Sequence, residues 1–141
     1  MMRTWDDCSR KVQRRRPDPE QARALLKMAA LRKRDVESKG DEFCVLIVEG
    51  YYEILKELMT ALLTVDGLKT TSHECLIAYV ERHCTGITGA EVHLLDQLRR
   101  MRNDISYRGV MVDPEYLERN RDRIRVLIGK LRCVVETRLP T

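Results

Sequence analysis

Apolar residues recur along most of this chain at steps of three and four, the spacing that lines one face of an α-helix. Between Asp41 and Val65 the positions Phe43, Ile47, Tyr51, Ile54, Leu58 and Leu62 keep that step, and Leu46, Leu55, Met59 and Leu63 widen the stripe. A stripe this broad predicts a helix enclosed by others, the central core element. A later helix carries Leu94, Leu98, Met101 and Ile105, and the last carries Leu117, Ile124, Leu127, Ile128, Leu131 and Val135.

The helix starts are written in capping residues, whose side chains satisfy backbone N–H groups that a first turn leaves without partners. Asp18-Pro19-Glu20-Gln21 opens the first helix, with Pro at the position where its missing N–H is harmless. Asp41 is the expected cap of the second, Thr71-Ser72-His73-Glu74 opens the third, Thr88-Gly89-Ala90-Glu91 the fourth and Asp113-Pro114-Glu115 the fifth. No segment requires a strand. The expected fold is all-α: an up-and-down antiparallel bundle of four long helices plus one short helix, Ser72–Cys84, lying aside. The bundle is expected to occupy residues 18–141, with residues 1–17 as a flexible basic N-terminal arm.

Composition narrows this further. A chain of 141 residues and 16.5 kDa has room for one core. Aromatic residues make up 5% of it, which argues against an all-β fold. The net charge of +4 conceals a separation: residues 40–98 hold 3 basic and 10 acidic groups, whereas residues 99–141 hold 11 basic and 6 acidic. An acidic middle and a basic final third can pair within the fold or across a dimer, or the basic face can meet phosphates.

Five cysteines, Cys8, Cys44, Cys75, Cys84 and Cys133, form no Cys-x-x-Cys pair, so reduced thiols are expected, without a disulfide framework or a zinc knuckle. His73, His83 and His93 lack metal-ligand spacing and are expected to be hydrogen-bonded or surface side chains. No metal or other cofactor is indicated. The N-terminus is charged where a signal peptide would be apolar, and the longest clean apolar run is Phe43–Val48, so a soluble cytoplasmic protein without membrane contact is expected. Glu49, Glu53 and Glu57 form an acidic stripe that is either solvated or paired with arginines of the final third. Gly50, costly inside a helix, suggests a close helix approach.

The densest polar segment is Leu98–Gly109. Arg100, Asp104 and Arg108 make a four-residue charge ladder that reads as a solvated edge. On the other edge Arg99, Arg102 and Ser106 lie together with Asn103 close by, and Gly109 is placed to end the helix. A guanidinium fork beside an amide and hydroxyls suits an oxyanion such as phosphate.

Arg102-Asn103-Asp104-Ile105-Ser106-Tyr107 resembles the signature of the HEPN (higher eukaryote and prokaryote nucleotide-binding) domains, in which an Arg, usually followed by a polar residue, precedes a His with four to six residues between them. Val48–Leu58 resembles the family's Tyr-containing second helix, and Gly67 with Ser72-His73-Glu74 its turn into the short helix. The resemblance covers Pro19 to Leu139. It implies a homodimer in which the motifs of two subunits meet in a cleft, binding RNA or a nucleotide. Many members are metal-independent ribonucleases, including toxins of toxin–antitoxin pairs neutralised by a nucleotidyltransferase-type antitoxin; others are non-catalytic interaction proteins, which is the alternative here. Carried over, Arg102 binds or stabilises phosphate, Asn103 orients it and Tyr107 takes the His position; Arg99 and Ser106, on the same helix edge as Arg102, are the further phosphate contacts expected from the residues themselves. Residues five apart on a helix diverge by about 140°, which fits a site shared between two chains. Tyr107 is the departure. His, with a reference pKa of about 6.5, can deprotonate a 2′-hydroxyl near neutrality, whereas Tyr at about 10 is a poor base and a competent hydrogen-bond donor.

Overall fold

Asp18 Oδ1 accepts from the Gln21 N–H at 3.0 Å and Pro19 takes the first helical position, so helix α1 runs Pro19–Glu37. The structure, a computed structural model, describes residues 3–141. Helix α2, Cys44–Asp66, follows a 3-10 turn at Asp41–Phe43. Asp41 makes no side-chain cap there and pairs with Arg121 at 3.2 Å. Ser72 caps α3, His73–His83, by accepting from the Cys75 N–H. Thr88 and Glu91 form a reciprocal capping box on α4, Gly89–Arg108, and Asp113 caps α5, Pro114–Arg138. The result is the expected up-and-down helical bundle, four long helices and one short.

Helix α2 is its axis. It packs against α1, α3, α4 and α5, and buries Ile47, Tyr51, Tyr52, Ile54, Leu55, Leu58, Met59, Leu62 and Leu63 almost completely. Helix α5 meets it with Leu117, Ile124, Leu127, Ile128, Leu131 and Val135. Burying one such aliphatic side chain is worth about 1.5–3 kcal/mol, so this interior outweighs any single polar contact. At Gly50 the α1–α2 approach is so close that a Cβ would overlap Cγ2 of Val36.

Helix α4 is divided. Val92, Leu94, Leu95 and Leu98 are buried, whereas Met101 and Ile105 are only partly covered and the chain from Ser106 to Met111 is exposed. The C-terminal half of α4 thus emerges from the core carrying the Arg102–Tyr107 motif. Gly109, at φ 65°, ends it in the left-handed conformation that glycine tolerates best.

The N-terminal segment differs from the flexible arm expected for residues 1–17, whose first two residues lie outside the described residues. Val12–Arg14 forms a short strand, β1, antiparallel to β2 at Leu68–Thr70, with Val12 opposite Thr70 and Arg14 opposite Leu68. The expectation of a strand-free chain is corrected accordingly. The Arg15 N–H donates to the Gly67 carbonyl at 2.9 Å, Trp5 packs edge-on against Tyr79, and Cys8 is disulfide-bonded to Cys75. That bond also corrects the expectation of uniformly reduced thiols; Cys44, Cys84 and Cys133 remain free. Trp5, Cys8 and Val12 are too few and too closely spaced to establish a periodicity, so their burial is decided by contacts some 60 residues away. Among the described residues no helix is long and apolar enough to cross a membrane.

Candidate functional site

The exposed half of α4 lies against α2 in antiparallel register, and two contacts four residues apart fix it. Arg102 Nε donates to Glu53 Oε1 at 3.2 Å, and Ser106 Oγ donates to Glu49 Oε2 at 3.4 Å. The acidic stripe of α2 is therefore paired: Glu53 also takes Lys56 at 2.6 Å, and Glu57 takes Arg32 at 2.6 Å. Burial alone would raise the Glu53 carboxyl, but the hydrogen bonds and charges of Lys56 and Arg102 outweigh it and hold the group below the usual carboxylate range.

The phosphate-site residues expected from sequence are held by different partners. Arg99 is held by Asp96 at 2.9 Å, a buried carboxylate shared with Arg100, and approaches Glu74 of α3 at 3.8 Å. It braces α3 against α4. Arg102 has Glu53 as its one hydrogen-bonding residue among the described residues, and no polar atom of its side chain is buried without a partner. Five N–H donors against one carboxylate, which also serves Lys56, leave part of the guanidinium fork open to solvent. Asn103 is half-buried with its amide uncommitted, and Tyr107 is 78% exposed with no hydrogen-bond partner among the described residues. Arg102 and Tyr107 do not converge within one chain, as their five-residue separation requires.

Two residues to which the sequence assigned no site role lie beside this pair. His73, the first residue of α3, places Nδ1 at 3.0 Å from the hydroxyl of the fully buried Tyr52. Burial, reinforced by the positive charges of Lys56 and Arg102, lowers the His73 pKa, and burial raises that of Tyr52. Tyr52 and Glu53 are adjacent on α2, so one turn of that helix holds both His73 and Arg102. A spacing rule could not find this, because the turn at Gly67 and the β2 strand carry His73 to it.

Apolar side chains lie beside these charges. Val110 and Met111 are exposed beside Tyr107, Met111 at 77%, and the register brings the exposed Phe43 and Leu46 at the start of α2 toward the same end. Contact between Cys44 Sγ and the Asp113 carbonyl at 4.0 Å marks that proximity. Among the described residues no cluster of three or more His, Cys, Asp or Glu side chains is placed to hold a metal ion. No family model, curated protein or solved structure matches this chain.

Proposed function

We propose that this chain is a HEPN-like homodimer that binds RNA or a nucleotide through Arg102, Asn103 and Tyr107. The observation that carries the reading is the state of Arg102. Its guanidinium is aimed by Glu53 while part of its fork stays open, on the emergent half of a helix whose Asn103 and Tyr107 are uncommitted. An oriented fork of this kind suits bidentate phosphate recognition. The exposed Tyr107, Val110 and Met111 support a second subunit as the cover for this end. Two copies meeting there would bring Arg102 of one chain toward Tyr107 of the other. Metal-independent ribonuclease activity, as a toxin component, belongs to the same reading, with Tyr107 as donor in place of the usual His. A cytoplasmic address also belongs to it, and requires that the Cys8–Cys75 bond persist there, as disulfides do in intracellular proteins of hyperthermophiles.

A second reading has its own support. The Arg102–Glu53 pair and the Ser106–Glu49 contact place carboxylates where phosphate would approach. This favours a non-catalytic interaction protein whose exposed apolar end meets a nucleotidyltransferase-type antitoxin or another protein.

Incubating RNA with the purified protein and a chelator, beside Arg102→Ala, separates the readings. Cleavage by the wild type alone supports the ribonuclease. Binding without cleavage, falling steeply as salt rises, supports the RNA-binding protein. Equal background from both proteins, with no binding, leaves the interaction protein.

A further inference from the structure

The Tyr52–His73 contact fixes a proton. Tyr52 is fully buried, and its hydroxyl has one partner among the described residues, Nδ1 of His73. A buried hydroxyl left without an acceptor costs about 1–3 kcal/mol, and a neutral imidazole offers one accepting nitrogen. The phenol therefore donates to Nδ1, which puts the imidazole proton on Nε2. Burial and the nearby charges of Lys56 and Arg102 lower the His73 pKa, which favours the neutral imidazole that this contact needs.

Nε2 itself has no hydrogen-bond partner among the described residues, and it is not sealed inside the protein. Ion pairs flank it on both sides. Glu74, next in sequence, reaches Arg99 at 3.8 Å, while Tyr52 neighbours Glu53, which holds Arg102 at 3.2 Å. Helix α2 thus aims two donors from successive residues: Tyr52 orients the imidazole and Glu53 orients the guanidinium.

We propose that His73 is a second phosphate-binding residue of the Arg102 site, its Nε2–H donating to a non-bridging oxygen of the RNA or nucleotide phosphate that Arg102 engages. The proposal rests on the phosphate-binding reading above and deepens it. It assigns His73 as a donor and gives it no part as the proton acceptor that the Tyr107 position lacks. A residue expected to be an ordinary histidine becomes part of the binding surface because a buried phenol selects its tautomer.

The test uses the full chain labelled with 15N-histidine and titrated at pH 7.5 with a short single-stranded RNA. The expected result is an Nε2–H tautomer for His73 whose imidazole resonances move on RNA addition, and about tenfold weaker binding by His73→Phe, the low end for a hydrogen bond to a charged group. Tyr52→Phe keeps the imidazole but frees its tautomer, and is expected to weaken binding by less. Circular dichroism checks the fold of both variants, and His73→Gln, which keeps a donor, separates lost packing from lost hydrogen bonding. An Nδ1–H tautomer overturns the proposal. So does RNA that binds the wild type and not Arg102→Ala while leaving the His73 signals and the His73→Phe affinity unchanged, an outcome in which the phosphate-binding reading stands. RNA that binds neither the wild type nor any variant removes that reading, and the proposal with it.

Discussion

Arg102 on α4 and Glu53 on α2 meet at 3.2 Å, and Ser106 and Glu49 repeat the contact one turn away. This ladder holds the emergent half of α4 on the bundle after its apolar stripe has left the core. Both partners of the Arg102–Glu53 pair are less than a third exposed, so the contact is worth more than a surface ion pair and less than a buried one. Glu53→Gln is expected to lower stability by about 1 kcal/mol and to loosen Arg102. Urea denaturation reads the first effect, and broadening of the Arg102 Nε–H signal in NMR spectra reads the second.

Acid should weaken the fold through the same group. Glu37, Glu53 and Glu91 are each subject to burial, which raises a carboxyl, and in each the hydrogen bonds and charges of neighbours win and hold it low: Lys33 and Arg125, Lys56 and Arg102, and Thr88 with Lys130. A carboxylate with a lowered folded pKa contributes stability that is fully present above its unfolded value and is lost as pH falls through the folded one. These carboxylates contribute nothing to the slope near neutrality and lower stability below about pH 4.3, the reference glutamate value, whereas His73, whose pKa burial lowers, begins to cost stability below about pH 6.5. Denaturation midpoints from pH 7 to pH 3 should trace this, with a shallower decline in Glu53→Gln. An unchanged slope in that variant would contradict the pairing.

Gly50→Ala separates local propensity from packing. On an exposed helix the change would stabilise by about 1 kcal/mol. Here the new methyl meets Val36, a β-branched residue with little rotamer freedom on the facing helix. The expected outcome is a loss of about 1–3 kcal/mol, the range for overpacking, largely recovered in Gly50→Ala combined with Val36→Ala. Thermal melts of the single and double variants decide it.

The Cys8–Cys75 bond closes a separation of 67 residues. Alkylating the denatured, unreduced protein should label three cysteines, Cys44, Cys84 and Cys133, and all five after reduction. Reduction or Cys8→Ser should lower stability by about 2–4 kcal/mol and expose the amides of β1 to hydrogen exchange, while α2 and α5 keep their protection. Five labelled thiols before reduction would overturn the Cys8–Cys75 bond.

Asp66 ties three elements at the far end of the bundle. Its carboxylate accepts from both Tyr79 of α3 and Arg138 of α5. Asp66→Ala leaves a partly buried guanidinium and a phenol without their partner. The expected loss of about 3 kcal/mol, near the low end for breaking a buried pair, should appear in urea denaturation; Arg138→Ala, which leaves the Tyr79 contact intact, should lose less.

The bundle was legible in the sequence because each of its determinants is local. A cap such as Thr88 with Glu91 needs three intervening bonds of helix, and the α2 and α5 stripes need only the helical period. Asp41 failed as a cap because it lies inside the 3-10 turn before α2, whose cap position is taken by Phe43. The Arg102-Asn103 segment and the acidic α2 stripe could each be read, but their pairing could not, since it depends on the register between two helices some 50 residues apart.

By itself the sequence determined the helices, their order and the exposed motif at the end of α4, because helix formation is governed by residues within a few positions of one another. Only the tertiary structure decided that Trp5, Cys8 and Val12 fold back onto α3 and β2, that Glu53 aims Arg102, and that His73 is oriented by Tyr52. Those contacts join residues separated by 21 to 74 positions. No short-range pattern encodes them; they follow from core packing, which brings the chain segments together and leaves buried polar groups one available partner.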